Sequence, residues 1–133
     1  MTTSAIPTST ISDQLAGAHT ALITPFRNGE IDERALRELV DFQIEAGIDG
    51  LVPCGTTGES ATMTEQEHAF VIETVIEQTA GRVPVIAGTG TNSTRVTIER
   101  TRHAFQTGAT AALVVVPYYN KPTQEGLIAH YSA

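Results

Sequence analysis

The residues of this chain best suited by type and spacing to do chemistry are Thr56 and Thr57, adjacent hydroxyls in Gly55-Thr56-Thr57-Gly58-Glu59-Ser60. This turn follows the apolar run Gly50-Leu51-Val52-Pro53-Cys54 and precedes Thr64-Glu65-Gln66-Glu67, which opens an amphipathic helix. In α/β proteins, ligands bind at the C-terminal ends of parallel strands. A turn there offers backbone N–H groups as well as hydroxyls, which suits a carboxylate or a phosphate. A lone turn of this kind is also an ordinary capped loop, so a second element is needed. Val116-Pro117-Tyr118-Tyr119-Asn120-Lys121-Pro122 supplies one. Successive tyrosines on an extended chain point to opposite sides, so one can face a site while the other meets a neighbouring surface. Aromatic side chains with a polar tip are enriched at interfaces, and Pro117 and Pro122 stiffen the segment between them.

Other candidates carry less. Gly88-Thr89-Gly90-Thr91-Asn92 lacks the third glycine of a dinucleotide loop and has no phosphate-binding lysine, so it reads as a tight turn at a strand end. His19 and His103 have no partner at metal-ligand spacing, and His130 sits near the end of the chain. His68 falls in the first turn of a helix beside Glu65 and Glu67, a pattern that predicts a solvated surface position. Cys54 is the single cysteine, which rules out an intrachain disulfide and reads as a small apolar strand residue. No metal site or cofactor is indicated, and nothing has the pattern of a Ser-His-Asp triad.

These loops are positioned by four apolar segments, His19–Thr24, Gly50–Cys54, Val83–Ala87 and Ala111–Tyr118. They begin roughly 30 residues apart, the length of a βα unit. Their near-continuous apolar character suits parallel strands covered on both faces. Helical stripes lie between them: Leu36, Leu39, Val40 and Ile44 after an Asp32 cap, then Val71, Ile72, Val75 and Ile76 after the capping box Thr64–Glu67. Ser93 or Thr94 begins a third helix bearing Ile98, Thr101 and Phe105, and Thr123 a fourth with Leu127 and Ile128. The expectation is an α/β chain supplying about the first four βα units of a (β/α)8 barrel, truncated within the fourth helix. A whole barrel needs about 250 residues. Residues 1–18 read as a flexible N-terminal arm and residues 19–133 as the half-barrel, with apolar edges left unpaired on the Ala111–Tyr118 strand and at the opposite end.

Composition narrows the functions further. The 133 residues are 41% hydrophobic and 17% charged, as in a soluble globular domain. A net charge of −7 argues against nucleic acid and gives no attraction to anionic lipid. The longest apolar run is too short to span a bilayer. The N-terminal stretch lacks the basic start and apolar core of a secretory signal, so the cytoplasm is the default compartment.

Taken together, Gly55-Thr56-Thr57-Gly58-Glu59-Ser60, Pro84-Val85-Ile86-Ala87-Gly88-Thr89-Gly90 and Pro117-Tyr118-Tyr119-Asn120-Lys121-Pro122-Thr123-Gln124-Glu125-Gly126-Leu127 resemble the dihydrodipicolinate synthase family. These are pyruvate-dependent class I aldolases, a group that also contains N-acetylneuraminate lyase. The resemblance runs from about His19 to Tyr131. It implies a (β/α)8 barrel assembled as a homotetramer of tight dimers. It also implies a lysine Schiff base with pyruvate, whose enamine attacks L-aspartate 4-semialdehyde on the way to diaminopimelate and lysine.

Carried onto this sequence, the resemblance makes Thr56 and Tyr119 members of a hydroxyl proton relay, Tyr119 reaching into the adjacent subunit. Thr57 and its turn amides would hold the pyruvate carboxylate. The family's Schiff-base lysine, third relay tyrosine and substrate arginine belong to the second half of the barrel, so residues 1–133 alone are expected to be inert. Lys121, the single lysine, stands where the family also accepts arginine. Ser60, Ala61, His68, Asn92 and Tyr118 match positions lining an inhibitory lysine site in some members. Val96 there replaces a glutamate and Glu65 a histidine, so inhibition by lysine is expected to be weak or absent. Two alternatives stay open: a sibling aldolase acting on N-acetylneuraminate or a 2-keto-3-deoxy acid, and a non-catalytic half-barrel that pairs with another chain.

Overall fold

The computed structural model describes residues 10–133. Four short parallel strands form the frame: β1 (His19–Ala21), β4 (Gly50–Val52), β5 (Ile86–Gly88) and β6 (Ala111–Leu113). β1 pairs with β4 in the register Thr20↔Leu51, and β5 with β6 in the register Ala87↔Ala112. A parallel bridge from Leu51 to Val85 joins the two pairs, so each of the four lies beside the next one along the chain. That order, with a helix in every connection, is the repeated βα unit expected from the sequence.

The helices are α2 (Glu33–Glu45), α3 (Glu65–Thr79), α4 (Thr94–Thr107) and α5 (Gln124–Ser132). Each begins at a side-chain cap. Asp32 accepts from the Ala35 N–H, Ser93 from Val96 and Thr123 from Gly126, while Thr64 and Glu67 form a reciprocal capping box. Such caps satisfy N–H groups that have no partner within the helix, each contributing about 1 kcal/mol. Helix α3 ends at Thr79, where Ala80 (φ 49°) and then Gly81 (φ 72°) both take left-handed backbone. The core lies between the strands and the helices. Leu22, Leu51, Val85 and Ala87 pack against Leu36 and Val40 of α2 and Val71, Ile72 and Val75 of α3.

Three features differ from the sequence expectation. The strands are shorter, because a ladder extends only while a partner strand runs alongside. Beyond Leu113, whose carbonyl accepts from the Thr89 and Gly90 N–H groups, β5 has already turned away. A small antiparallel hairpin, β2 (Phe26–Arg27) and β3 (Glu30–Ile31), stands between β1 and α2. A one-turn helix, α1 (Ile11–Gln14), capped by Thr10, falls within the stretch read as a flexible arm. Residues 1–9 of that stretch lie outside the described residues. Among the described residues, no helix is long and apolar enough to cross a membrane.

Candidate active site

Strand β4 delivers the chain to the strand-end face through Pro53 and Cys54. Cys54 has left-handed backbone, φ 55°, which turns the chain sharply and directs its side chain inward. Its Sγ lies 3.8 Å from the carbonyl of His68, and burial pushes the thiol up to about 12. A thiol so protonated is no nucleophile at neutral pH. It is the small apolar residue that the sequence predicts.

The Gly55–Gly58 turn is closed from within and pinned from outside. Gly58 N–H donates to the Gly55 carbonyl at 3.1 Å and Glu59 N–H to that of Thr56 at 3.0 Å. Buried Thr24, just past β1, donates its hydroxyl to the Gly58 carbonyl at 2.8 Å. Glu59 is left-handed, φ 62°, and starts a 3-10 turn over Ser60–Thr62. Among the described residues, the N–H groups and hydroxyls of Thr56 and Thr57 make no hydrogen bond. Four donors on one exposed turn are therefore free for a ligand, and pre-set donors of this kind suit an anionic group.

Two cavities meet at Thr56. One, of about 170 Å³, is lined by Cys54, Gly55, Thr56, Gly88, Gly90, Leu113 and Val115. The other, of about 420 Å³, is lined by Thr56, Glu59, Ala61, Thr62, Val115 and Tyr118. Close backbone approach builds the floor of the smaller one. A Cβ on Gly88 would run into the Cys54 carbonyl, and one on Gly90 into the Val115 amide. The glycines of the Gly88–Asn92 loop thus serve neighbouring strands that touch, as well as the turn that the sequence suggested.

His68 corrects the sequence expectation. It is 2% exposed, and its Nε2 sits 2.8 Å from the Gly88 carbonyl. A carbonyl only accepts, so Nε2 carries a proton and donates it to Gly88. Burial, reinforced by the nearby Arg100 guanidinium, holds its pKa below the usual histidine value. The physical reason is helix phase: His68 lies three and four residues before Val71 and Ile72, on the buried stripe of α3. It works as a strut between α3 and the end of β5.

Beside it, Arg100 grips Glu65 with two hydrogen bonds of 2.9 and 2.6 Å, and its own side chain is only 10% exposed. The arginine hydrogen bonds lower the Glu65 pKa, so this carboxylate is committed. Neither tie could be read from local sequence. The remaining histidines are held elsewhere: His19 bonds the Leu15 carbonyl, His103 pairs with Glu73 and His130 bonds Thr94.

Strand β6 leads into the tyrosine pair. Tyr118 lines the larger cavity with Thr56 and Ala61, whereas Tyr119 is 95% exposed. Opposite facings are what an extended Tyr-Tyr pair predicts, although Tyr119 reaches its facing through a left-handed φ of 68°. Next to it, Asn120 exchanges two hydrogen bonds with Asn92. Lys121 is exposed, also with left-handed backbone, and lines neither cavity. The structure thus brings Thr56, Ala61 and Tyr118 to one cavity, puts Ser60 in the adjoining 3-10 turn, and ties Asn92 to the tyrosine segment. Arg100 is the participant that sequence reasoning missed; Thr24 and Asn120 stand in polar strand endings visible in the sequence, but their partners Gly58 and Asn92 do not follow from it.

Known proteins are similar to this chain in sequence and fold. 4-Hydroxy-tetrahydrodipicolinate synthase of Nitratidesulfovibrio vulgaris (strain DSM 19637 / Miyazaki F) is 64% identical over 120 residues, covering 90% of this chain and 41% of the relative. Dihydrodipicolinate synthase of Aquifex aeolicus superposes with a TM-score of 0.85 at 54% identity, covering 86% of this chain and 39% of that structure. The chloride-inhibited dihydrodipicolinate synthase of Acinetobacter baumannii, solved in complex with pyruvate, gives 0.84 at 50% identity, with 86% and 40% covered. The chain spans about two-fifths of the length of these relatives, and its fold is the first part of their (β/α)8 barrel. Its residues 14–133 match the dihydrodipicolinate synthetase family, and the chain belongs to that family.

Proposed function

We propose that this chain is the N-terminal part of a 4-hydroxy-tetrahydrodipicolinate synthase. The observation that carries the reading is the set of free donors on Thr56 and Thr57, at a strand end and beside the cavity that Tyr118 also lines. In the proposed reaction a lysine amine adds to C2 of pyruvate and water leaves, giving an imine. Loss of a C3 proton yields an enamine, and C3 then adds to the aldehyde carbon of L-aspartate 4-semialdehyde. Thr57 and the turn amides hold the pyruvate carboxylate. Thr56 and Tyr119 relay protons, because imine formation and hydrolysis both require proton transfer at the same centre.

Several further readings belong to the same proposal. The reaction serves diaminopimelate and lysine biosynthesis in the cytoplasm and is that of a lyase with a class I aldolase mechanism. Residues 19–133 are the half-barrel that supplies these groups, residues 1–18 an arm outside it. The exposure of Tyr119 supports a homotetramer in which that hydroxyl completes a neighbouring site. Lys121, on an exposed loop away from both cavities, is not the imine lysine, so residues 1–133 alone are inactive.

The test is borohydride trapping with pyruvate, followed by mapping of the adduct on the complete protein. An adduct on a lysine beyond Ala133 is the expected result, and an adduct on Lys121 would overturn the assignment. Turnover with aspartate semialdehyde, set against cleavage of N-acetylneuraminate or 2-keto-3-deoxy acids, separates the synthase from its siblings.

The candidate regulatory residues Ser60, Ala61, His68, Asn92 and Tyr118 line or adjoin this region, but its carboxylate partners differ. Val96 offers no charge, and Glu65 is already paired with Arg100. An ammonium ligand without a carboxylate partner loses about 2 kcal/mol of binding. Lysine inhibition is therefore weak or absent; millimolar lysine abolishing activity in the complete enzyme would refute this.

A further inference from the structure

Tyr119 stands at the centre of a three-residue turn, closed by the Asn120 N–H donating to the Tyr118 carbonyl at 2.8 Å. Its φ is 68°, and that of Lys121, two residues on, is 45°. A γ-turn with positive φ at a bulky residue is rare and strained. Such a conformation persists only where the surroundings over-determine it. Pro117 and Pro122 restrain the segment from within. From outside, the described residues supply one hydrogen-bonded tie. Asn120 Nδ2 donates to the main-chain carbonyl of Asn92 at 2.8 Å, and Asn92 Nδ2 donates to Asn120 Oδ1 at 3.3 Å.

The other end of that tie is fixed. Thr91 N–H donates to the Thr97 hydroxyl at 2.9 Å, and Ser93 N–H to the Thr91 hydroxyl at 3.0 Å. Thr91 and Thr97 are buried, and Ser93 caps α4. Asn92 is therefore held between two residues anchored to the start of a helix. An exposed, strained loop is fastened to a rigid one through a pair of amides.

We propose that Asn120, acting through its two bonds to Asn92, is the positioning residue that holds Tyr119 in its projecting conformation. The inference rests on the relay role given to Tyr119 above. It requires nothing of Asn120 at the reacting atoms. Its loss therefore lowers kcat through a misplaced tyrosine and leaves KM for pyruvate unchanged, because the pyruvate carboxylate is held on the separate Thr57 turn.

Steady-state kinetics of the complete protein test this with four variants. Tyr119→Phe should lower kcat about 100-fold, the scale of a lost proton-transfer group. Asn120→Ala should lower it about tenfold, the scale of a displaced catalytic group. Asn92→Ala keeps the main-chain acceptor and removes only the longer bond, so its effect should be about two- to threefold, and it remains informative if Asn120→Ala folds poorly. In the double variant Tyr119→Phe/Asn120→Ala, kcat should equal that of Tyr119→Phe alone. A silent Asn120→Ala, or effects that multiply in the double variant, would overturn the positioning role while the relay stands. A silent Tyr119→Phe would remove the relay reading, and this inference with it.

Discussion

Leu51 of β4 is fully buried, while Leu113 of β6, two strands away, is 50% exposed. The local sequences do not differ enough to explain this, since both lie in near-continuous apolar runs. Their neighbours do differ. β4 is flanked by β1 and β5, with α2 and α3 contributing to the core around it. β6 pairs with β5 alone among the described residues, and beyond it Val116 and Tyr119 are exposed. A parallel strand earns burial on both faces only when its neighbours are present. One side of this molecule is a finished wall; the other leaves apolar surface exposed.

The largest expected effect therefore lies in the wall. Leu51→Ala should destabilise the protein by about 3 kcal/mol, combining lost burial with a cavity that the packed surroundings cannot fill. Denaturant titration with an unchanged m-value would show this as a lowered midpoint. A loss under about 1 kcal/mol would mean that the strands around β4 are looser than their contacts suggest.

The second prediction concerns the strut that braces the wall, where acidity is the probe. His68 is neutral when folded, and burial holds its pKa below the unfolded value of about 6.5. Its contribution is fully present above that value. It is lost progressively as pH falls toward the lower folded pKa, since the unfolded chain then binds a proton that the folded one refuses. Arg100 faces the ring with positive charge and Glu65 with negative, and the titratable His103 lies near it as well. His68→Gln should cost about 1 kcal/mol at pH 8, from the altered bond to Gly88. Its stability should then fall less steeply than that of the parent between pH 7 and 5. Parallel pH profiles for the two proteins would mean that the ring is solvated.

Much of this wall is legible in the sequence, because local chemistry dictates it. Asp32, Thr64 with Glu67, and Thr123 declare helix starts through side chains that can only satisfy nearby amides. The apolar runs declare strands. The acidic neighbours Glu65 and Glu67 make His68 read as a surface residue, whereas helix phase aligns it with buried Ile72. The β2–β3 hairpin did carry a signal in Asn28-Gly29, both with positive φ, the pair that a tight hairpin turn favours. Two-residue strands are too short to show alternation around it. Thr24 on Gly58, Arg100 on Glu65 and Asn120 on Asn92 are of another kind. Each joins residues that only the finished fold brings together, at separations of 34, 35 and 28 along the chain. Residue type can suggest that such side chains need partners but cannot say which.

The smallest expected effect lies on the open side, and it sharpens the contrast most. Leu113→Ser in residues 1–133 removes a side chain that is already half in water, so stability should change by less than about 0.5 kcal/mol. In a complete barrel, the same leucine would gain cover from strands that follow β6, and the substitution should cost about 2 kcal/mol or more, close to the lower end of core replacements. The strand-end cavity gives a second reason to expect the difference, since Leu113 lines it together with Thr56 and Gly88. Equal small losses at both lengths would mean that this part of β6 faces solvent in the barrel too. Equal large losses would mean that the shorter chain covers the surface by self-association, which sedimentation at two concentrations would reveal. Only a cost that rises with chain length fits a wall whose other half is supplied by the same polypeptide.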